Sequence, residues 1–368
     1  MITLITGAPG TGKTHHLIQT VKLVDNYIIL SPTWANIKRI QRDLPNAHII
    51  TVAAFNRSCI YTTRKYKHIF IDEFSMINVL QCRNILTYID NHDPHIYIYG
   101  DQYQLISIDD GEPTYTSQDI KDIIKLSSKV NVEYALIKIR SLTNKLHIDK
   151  HIELDVIHRT ENKELCDIYN DMRRNIYNKY IENYMTSHTY ICENIFTLIY
   201  KCKYIIIAGN YGTLCDYYKR YLLGRYSVQE HMFTVNNKFN YIRVEKDCEY
   251  ILTTTLNNVF TNNQIVSVND VSYACNDRWV ELRCNNELIK LTEPLPLQPY
   301  EFITVHRAQG CEYDNVIVDM YSMFEVGHLY TAITRVKKYV ILVKCNNWKE
   351  IYIKQMQLMH DLMLCMNM

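Results

Sequence analysis

The chain has 368 residues, a hydrophobic share of 47% and a formal net charge of +1. That length exceeds one ordinary core and predicts about two domains, and that apolar content excludes a disordered polymer. No apolar run approaches the ~20 residues of a membrane span and no basic leader precedes the first apolar run, while a balanced charge neither requires nor excludes a polyanionic partner.

In chain order, Ile2 to Ile5 reads as a short buried strand and His15 to Leu23 as a helix. Between them stands Gly7-Ala8-Pro9-Gly10-Thr11-Gly12-Lys13-Thr14, a complete phosphate-binding loop. Its glycines let backbone N–H groups close on phosphate oxygens, and the helix N-terminus adds a favourable dipole. Lys13 would reach the β- and γ-phosphates of a nucleotide such as ATP, and the Thr14 hydroxyl would hold Mg2+. Gly7, Pro9, Gly10, Thr11, Gly12, Lys13 and Thr14 are therefore the expected nucleotide-binding residues.

Short β-branched runs follow at Tyr27 to Leu30, Ala47 to Val52, His68 to Ile71 and His95 to Tyr99, with helices expected at Trp34 to Asp43 and Asn78 to Ile89. Strands alternating with helices predict a parallel α/β sheet, whose ligands bind at the carboxyl ends of the strands. Asp72 and Glu73 leave one such strand at its tip: Asp72 suits a metal ion and Glu73 an attacking water, although two carboxylates after a strand also suit a plain turn. Tyr99 to Leu105 ends the next strand, and Gln104 offers an amide that could sense a γ-phosphate or simply close a turn. The stretch Asn56 to Lys67 interleaves basic and aromatic residues, a composition that fits nucleic-acid contacts or a solvated loop. Ser107 to Glu153 is long, with a charged helical part at Ser117 to Ser127.

The second half starts with an amphipathic helix over Asn162 to Met185, a strand at Tyr204 to Ala208 and a helix at Tyr211 to Leu222. Short alternating runs with Asn-rich turns then recur at Phe239 to Val244, Glu249 to Thr254, Gln264 to Tyr273, Trp279 to Arg283 and Glu287 to Leu291, which predicts a small antiparallel barrel. Strands return at Phe302 to Val305, Asn315 to Asp319 and Tyr339 to Lys344, and Trp348 to Met368 reads as a Met-rich packing helix. Twelve cysteines run from Cys59 to Cys365 without a CxxC spacing. That pattern predicts free thiols in a reducing, intracellular compartment rather than zinc or redox sites.

The phosphate loop, Asp72-Glu73-Phe74-Ser75-Met76 and Gly100-Asp101-x-x-Gln104-Leu105 resemble motifs I, II and III of superfamily-one helicases, in the RecD, Dda and Pif-type subgroup B. Ser31-Pro32-Thr33 resembles motif Ia, Leu154 to Arg159 motif IV, Ile303-Thr304-Val305-His306-Arg307-Ala308-Gln309-Gly310 motif V, and Tyr330-Thr331-Ala332-Ile333-Thr334-Arg335 motif VI. The likeness implies two RecA-like parallel-sheet motor domains, at 1–155 and at 156–227 with 297–368, and an SH3-like β insertion at 228–296. It implies a Mg-dependent NTP hydrolase that moves 5′ to 3′ on single-stranded nucleic acid, DNA before RNA. Viral replication, a monomeric state and replication-protein partners belong to the same expectation. The alternatives are a viral RNA helicase and an NTPase that translocates or remodels without unwinding.

By the same resemblance Lys13, Glu73, Gln104, Arg159 and Arg335 are catalytic. Arg335 is then the arginine finger and Arg159 reaches the γ-phosphate, both from the second motor domain; the alternatives are a solvated helix residue beside Lys337 and Lys338 for Arg335 and an ordinary salt bridge for Arg159. Thr14 and Asp72 hold the metal, and Gln309 and Gly310 join the nucleotide site. Pro32, Thr33, Trp34, Thr51, Phe55, Asn210, Thr304 and His306 face the nucleic-acid strand, with Trp34 and Phe55 either stacking on bases or packing in a core. Family members carry an adenine-reading glutamine upstream of the loop. This sequence begins at the loop strand, so use of several NTPs is expected.

Overall fold

The structure of the protein is a computed structural model. It describes residues 1–58, 65–77, 91–101, 103–105, 149–174, 189–190, 204–225, 232–257, 259–260, 264–274, 277–284, 286–323 and 327–343, with a few single positions besides. The expected helix at 117–127, half of the basic stretch 56–67, the greater part of 78–89 and most of the tail from 348 lie outside the described residues. The chain packs as two compact units. One comprises Met1–Ser187, Phe324–Lys338 and Asn346–Met368, the other His188–Met323 and Tyr339–Cys345.

The first unit holds a six-stranded sheet built from β1 (Ile2–Gly7), β2 (Tyr27–Ser31), β3 (Ile49–Thr51), β4 (His68–Ile71), β5 (His95–Gly100) and β6 (Lys150–Leu154), in the order β3-β2-β4-β5-β1-β6. All its pairings are parallel. Its inner strands are buried on both faces, as their near-continuous apolar runs require. Ile28, Leu30, Ile69, Ile71, Ile96 and Ile98 pack on one side, while Ile29, Phe70 and Tyr99, the alternate residues, pack on the other. Leu17, Ile18 and Val21 of α1 (Lys13–Val21) and Ile37 and Ile40 of α2 (Trp34–Asp43) cover the second side.

Three local features differ from the sequence expectation. The first helix begins at Lys13, two residues early, because Gly12 in the left-handed region (φ 82°) turns the loop straight into it. The run Ala47 to Val52 is a strand only over Ile49–Thr51. The Thr51 hydroxyl then accepts from Ala54 N at 3.1 Å and caps a helix, α3 (Val52–Ser58). Strand β6 is the third difference, since the sequence carries no signal for it. It lies at the sheet edge, is half exposed along its length and alternates polar residues, so it lacks the apolar signature of its neighbours. The helix α4 (Lys163–Arg173) follows, capped by Asn162 Oδ1, which accepts from Glu164 N and Leu165 N.

In the second unit a parallel sheet has Ile205–Ala208 between Phe302–Thr304 and Tyr313–Val318, with Val336–Val343 and Thr189–Tyr190 beyond. The helix α5 (Tyr211–Arg225) follows its first central strand. A separate five-stranded antiparallel sheet runs Glu287–Thr292, Asp277–Cys284, Ile265–Ala274, Glu249–Leu252 and Leu297–Pro299 in spatial order. Its register shifts at a bulge between Val268 and Asp270. One continuous core joins this sheet to the parallel one, with Phe233, Val266, Val280, Leu282, Leu297, Phe302 and Ile317 all buried. Two short helices complete the described chain: α6 (Val305–Ala308), and α7 (His328–Ile333) in the first unit.

Candidate active site

The parallel register of the first sheet brings four strand ends level. Thr6 pairs with Gly100 and Gly7 with Leu154, while Leu30 pairs with Ile71 and Ile71 with Ile98. Everything that leaves these strands at their carboxyl ends therefore converges: the phosphate loop, Asp72-Glu73, Asp101 to Leu105, and 155–159. The loop is tightly packed from the last of these. His158 N donates to Gly10 O at 2.7 Å, and a side chain at Gly10 (φ 86°) would collide with Arg159 Cβ. Glycine is required there twice over, by its conformation and by its neighbour.

Lys13 is buried, and its Nζ donates to Gly7 O at 2.7 Å and Ala8 O at 2.9 Å. Burial lowers its pKa, and Arg159 and Arg335 push the same way, against the opposing pull of Asp101 and Glu73. Burial also raises the Asp72 carboxyl to about 6, helped by the charge of Glu73 beside it and opposed by Arg39 and Lys13. Glu73 sits in the left-handed region (φ 49°), where a non-glycine residue is strained. The strain turns the chain out of β4 into a 3-10 turn over Phe74–Met76.

Buried polar atoms normally have partners. Here Asp72 Oδ2, Glu73 Oε2 and Gln104 Oε1 are buried with no hydrogen-bond partner among the described residues. Among the same residues no group of three or more His, Cys, Asp or Glu could cage a metal. One or two carboxylates and a hydroxyl are what Mg2+ takes from a protein when phosphate oxygens and water supply the rest. The donor set of Thr14 and Asp72 therefore fits a nucleotide-borne magnesium ion.

The two expected arginines lie in the same compact unit as the loop. Arg335, only 1% exposed, donates from Nε to Thr331 O at 3.0 Å and from Nη2 to Thr334 Oγ1 at 3.3 Å. Arg159 donates from Nη1 to Thr334 O at 2.6 Å. A buried network positions α7. Tyr330 OH donates to Asp101 at 2.8 Å, Arg173 of α4 lies 3.7 Å from the same carboxylate, and Leu105 N donates to Thr331 Oγ1 at 2.8 Å. Thr160 and Tyr169 donate to the carbonyls of Lys337 and Val336 just beyond. Buried Lys13, Asp72, Glu73, Gln104 and Arg335 and half-buried Arg159 thus belong to one array held from three directions.

Residues 1–110 match the AAA domain family and residues 300–343 match the UvrD-like helicase C-terminal domain family. The RecD subunit of the RecBCD enzyme from Buchnera aphidicola (subsp. Schizaphis graminum, strain Sg) is 24% identical over 454 residues, spanning 96% of this chain and 71% of that protein. A Bacteroides Pif1 solved with single-stranded DNA has the same fold, with a TM-score of 0.62 and 15% identity over 93% of this chain and 88% of that one. Pif1 from Candida albicans also gives a TM-score of 0.62, with 14% identity over 95% of this chain and 92% of that one. The two family matches and the RecD relative support a superfamily-one helicase of the RecD and Pif1 type. Its two parallel sheets are those of two RecA-like domains, and its antiparallel sheet is an insertion in the second.

The residues of this helicase expected at a nucleic-acid strand fare differently. Thr33, Thr51, Asn210 and Thr304 each use the side-chain oxygen to accept a backbone N–H at the start of a helix, from Asn36, Ala54, Thr213 and Arg307 respectively. Phe55 is a correction: it is 1% exposed, packs edge-on to Tyr88 at 5.3 Å and belongs to the core. An aromatic ring at that depth gives stability and offers no face to a base. Pro32 is half-buried beside α2, and Trp34 opens that helix. In the second unit His306 is half-buried on α6, Gln309 is buried just after it, and Gly310 (φ 81°) turns the chain away.

Sequence reasoning missed three functional candidates. Asp101 stands inside a recognised motif, but its partners Tyr330 and Arg173 are distant in sequence. Arg173 itself sits in an ordinary amphipathic helix with no local signal. Arg39 of α2, which donates from Nη2 to Thr14 Oγ1 at 2.9 Å, is equally silent in the sequence.

Proposed function

We propose that this helicase hydrolyses ATP with Mg2+ at the loop of residues 7–14 and uses the energy for 5′ to 3′ movement along single-stranded DNA, separating duplex ahead of it. The observation that carries the reading is an array of three cations, buried Lys13 and Arg335 with half-buried Arg159, beside carboxylate and amide oxygens that have no partner among the described residues. Such an array is costly to bury alone and suits a triphosphate, whose charge it would balance. Lys13 would bind the terminal phosphates, and Arg335 and Arg159 would stabilise the charge that develops as the γ-phosphoryl leaves. Glu73 would orient the attacking water, and Gln104 would sense the γ-phosphate. Thr14 and Asp72 would hold the metal, which would supply neutralisation of the phosphate charge. Gln309 and Gly310 of motif V are proposed nucleotide-binding residues, and the segment 228–296 is the candidate clamp on the strand.

Relatives of the same fold support DNA as the track, since the Bacteroides Pif1 was solved with single-stranded DNA. Pro32, Thr33 and Trp34 at the start of α2, and Thr304 and His306 of motif V, are the proposed strand contacts. The test is hydrolysis with and without single-stranded DNA or RNA, followed by strand displacement from 5′ and 3′ tails. Stimulation by DNA and displacement only from a 5′ tail are expected. Stimulated hydrolysis with no displacement from any tail would reduce the function to translocation, and the absence of turnover would remove it.

A further inference from the structure

Arg39 has no place in the reading above, yet it touches one of the two residues assigned there to magnesium. Its Nη2 donates to Thr14 Oγ1 at 2.9 Å, and its charge also acts on Asp72. Its Nε–H is buried with no acceptor among the described residues. Thr14 stands on α1 and Asp72 beyond β4, so a guanidinium from α2 bonds to one ligand and acts on the other through its charge alone.

We propose that Arg39 guards the magnesium site: a tethered cation that occupies the Thr14 hydroxyl and balances the Asp72 carboxylate while no metal is bound, and that is displaced from Thr14 when the metal–nucleotide binds. The inference rests on the nucleotide-site reading given above.

Three physical points support it. Asp72 is buried, and a buried carboxylate needs a compensating charge whenever no metal is bound. A guanidinium is always protonated and presents donors in a planar fork, so it can serve two oxygen acceptors in different directions. A hydroxyl that accepts from Arg39 and also ligates Mg2+ would place a fixed positive charge beside a divalent ion with strict ligand geometry, and the two repel. A mere pin between α1 and α2 would have no such competition with metal.

The test is a magnesium titration of fluorescent ADP binding to the full chain, for the wild type, Arg39→Gln and Arg39→Lys, with a parallel series in EDTA. In Arg39→Gln the half-saturating Mg2+ is expected to fall about threefold to tenfold, because the competing charge is gone. Arg39→Lys keeps the charge and is expected to stay within about twofold of the wild type. In thermal melts the Gln variant should be less stable without ligand and should gain more from Mg-ADP than the wild type. An unchanged or raised half-saturating Mg2+ in Arg39→Gln overturns the proposal. Should that variant fail to fold, a wild-type structure with Mg-ADP decides: Nη2 out of hydrogen-bond reach of Thr14 Oγ1 is expected, and a retained contact is the refutation. A wild type that binds no ADP removes the nucleotide site itself. A wild type that binds ADP with the same magnesium dependence as Arg39→Gln removes only the role of Arg39.

Discussion

The two parallel sheets of this helicase end their strands in opposite ways. At the carboxyl ends of the first sheet, Asp72, Glu73 and Gln104 are buried with oxygens that have no hydrogen-bond partner among the described residues, in the same array as the buried Lys13. At the corresponding ends of the second sheet several polar groups fix local turns. Asn210 accepts from Thr213 N and Thr304 from Arg307 N. Asp319 accepts from Tyr217 OH at 3.3 Å, and Ser322 accepts from Gly209 N at 2.7 Å. Similar topology therefore serves two purposes. One sheet keeps unsatisfied acceptors that a ligand can complete, at a cost in stability. The other uses the same residue types to fix its own turns.

That contrast can be broken by mutation. The largest effect is expected at Arg335→Ala: about a 10³-fold loss of kcat for hydrolysis with nucleotide binding retained, read by steady-state turnover against equilibrium ADP binding. Unchanged turnover would remove its role as a finger, and Arg335→Lys separates loss of charge from loss of packing. Next comes Asp72→Asn. The folded carboxyl titrates at about 6 against 3.8 for the ordinary group, so the folded state binds this proton more tightly than the unfolded chain does. The contribution of Asp72 to stability is present below about pH 4 and lost as the pH rises to about 6. Asn should therefore raise stability at pH 7 by up to about 3 kcal/mol, the equivalent of about two pKa units, with the gain vanishing near pH 4. Hydrolysis should fall at the same time. Denaturant melts of the ligand-free protein at several pH values check the sign.

Glu73→Asn tests the strained turn. Asparagine tolerates the left-handed region, so the fold should gain up to about 1 kcal/mol while hydrolysis is lost. A loss of stability would show that the Glu73 carboxylate supports the fold instead. The smallest functional effect is expected in the second sheet. Burial raises the Asp319 pKa against hydrogen bonds from Ser322 and Tyr217, so Asp319→Asn should gain stability as the pH rises from acid to neutral. Hydrolysis should stay within about twofold of the wild type, since the residue acts on its own turn. A large loss of turnover would mean that the two sheets are less different than their strand ends suggest.

Much of the first sheet is legible in the amino-acid sequence. The strands at 27–31, 68–71 and 95–100 and the helix Trp34–Asp43 fall where their periodicity places them, because apolar runs and a Thr33 cap are local signals. The antiparallel strands of 249–292 are legible from alternation in the same way. Strand β6 is not, since an exposed edge strand needs no apolar run. Phe55 cannot be assigned from sequence either. A single aromatic after a strand looks the same whether it will face a base or Tyr88, and only packing separates the two.

By itself the sequence determined the phosphate loop, the acidic pair and the order of the later motifs. Each is a short segment whose chemistry depends on neighbours a few residues away. Only the tertiary structure decided what those segments share. Burial leaves one side-chain oxygen each of Asp72, Glu73 and Gln104 without a partner among the described residues, the 158–159 segment rests on Gly10, and Tyr330 and Arg173 meet at Asp101. Arg39 reaches Thr14 across two helices. These are contacts between residues tens to hundreds of positions apart, and their energies depend on exclusion of water, which no local pattern in a chain records.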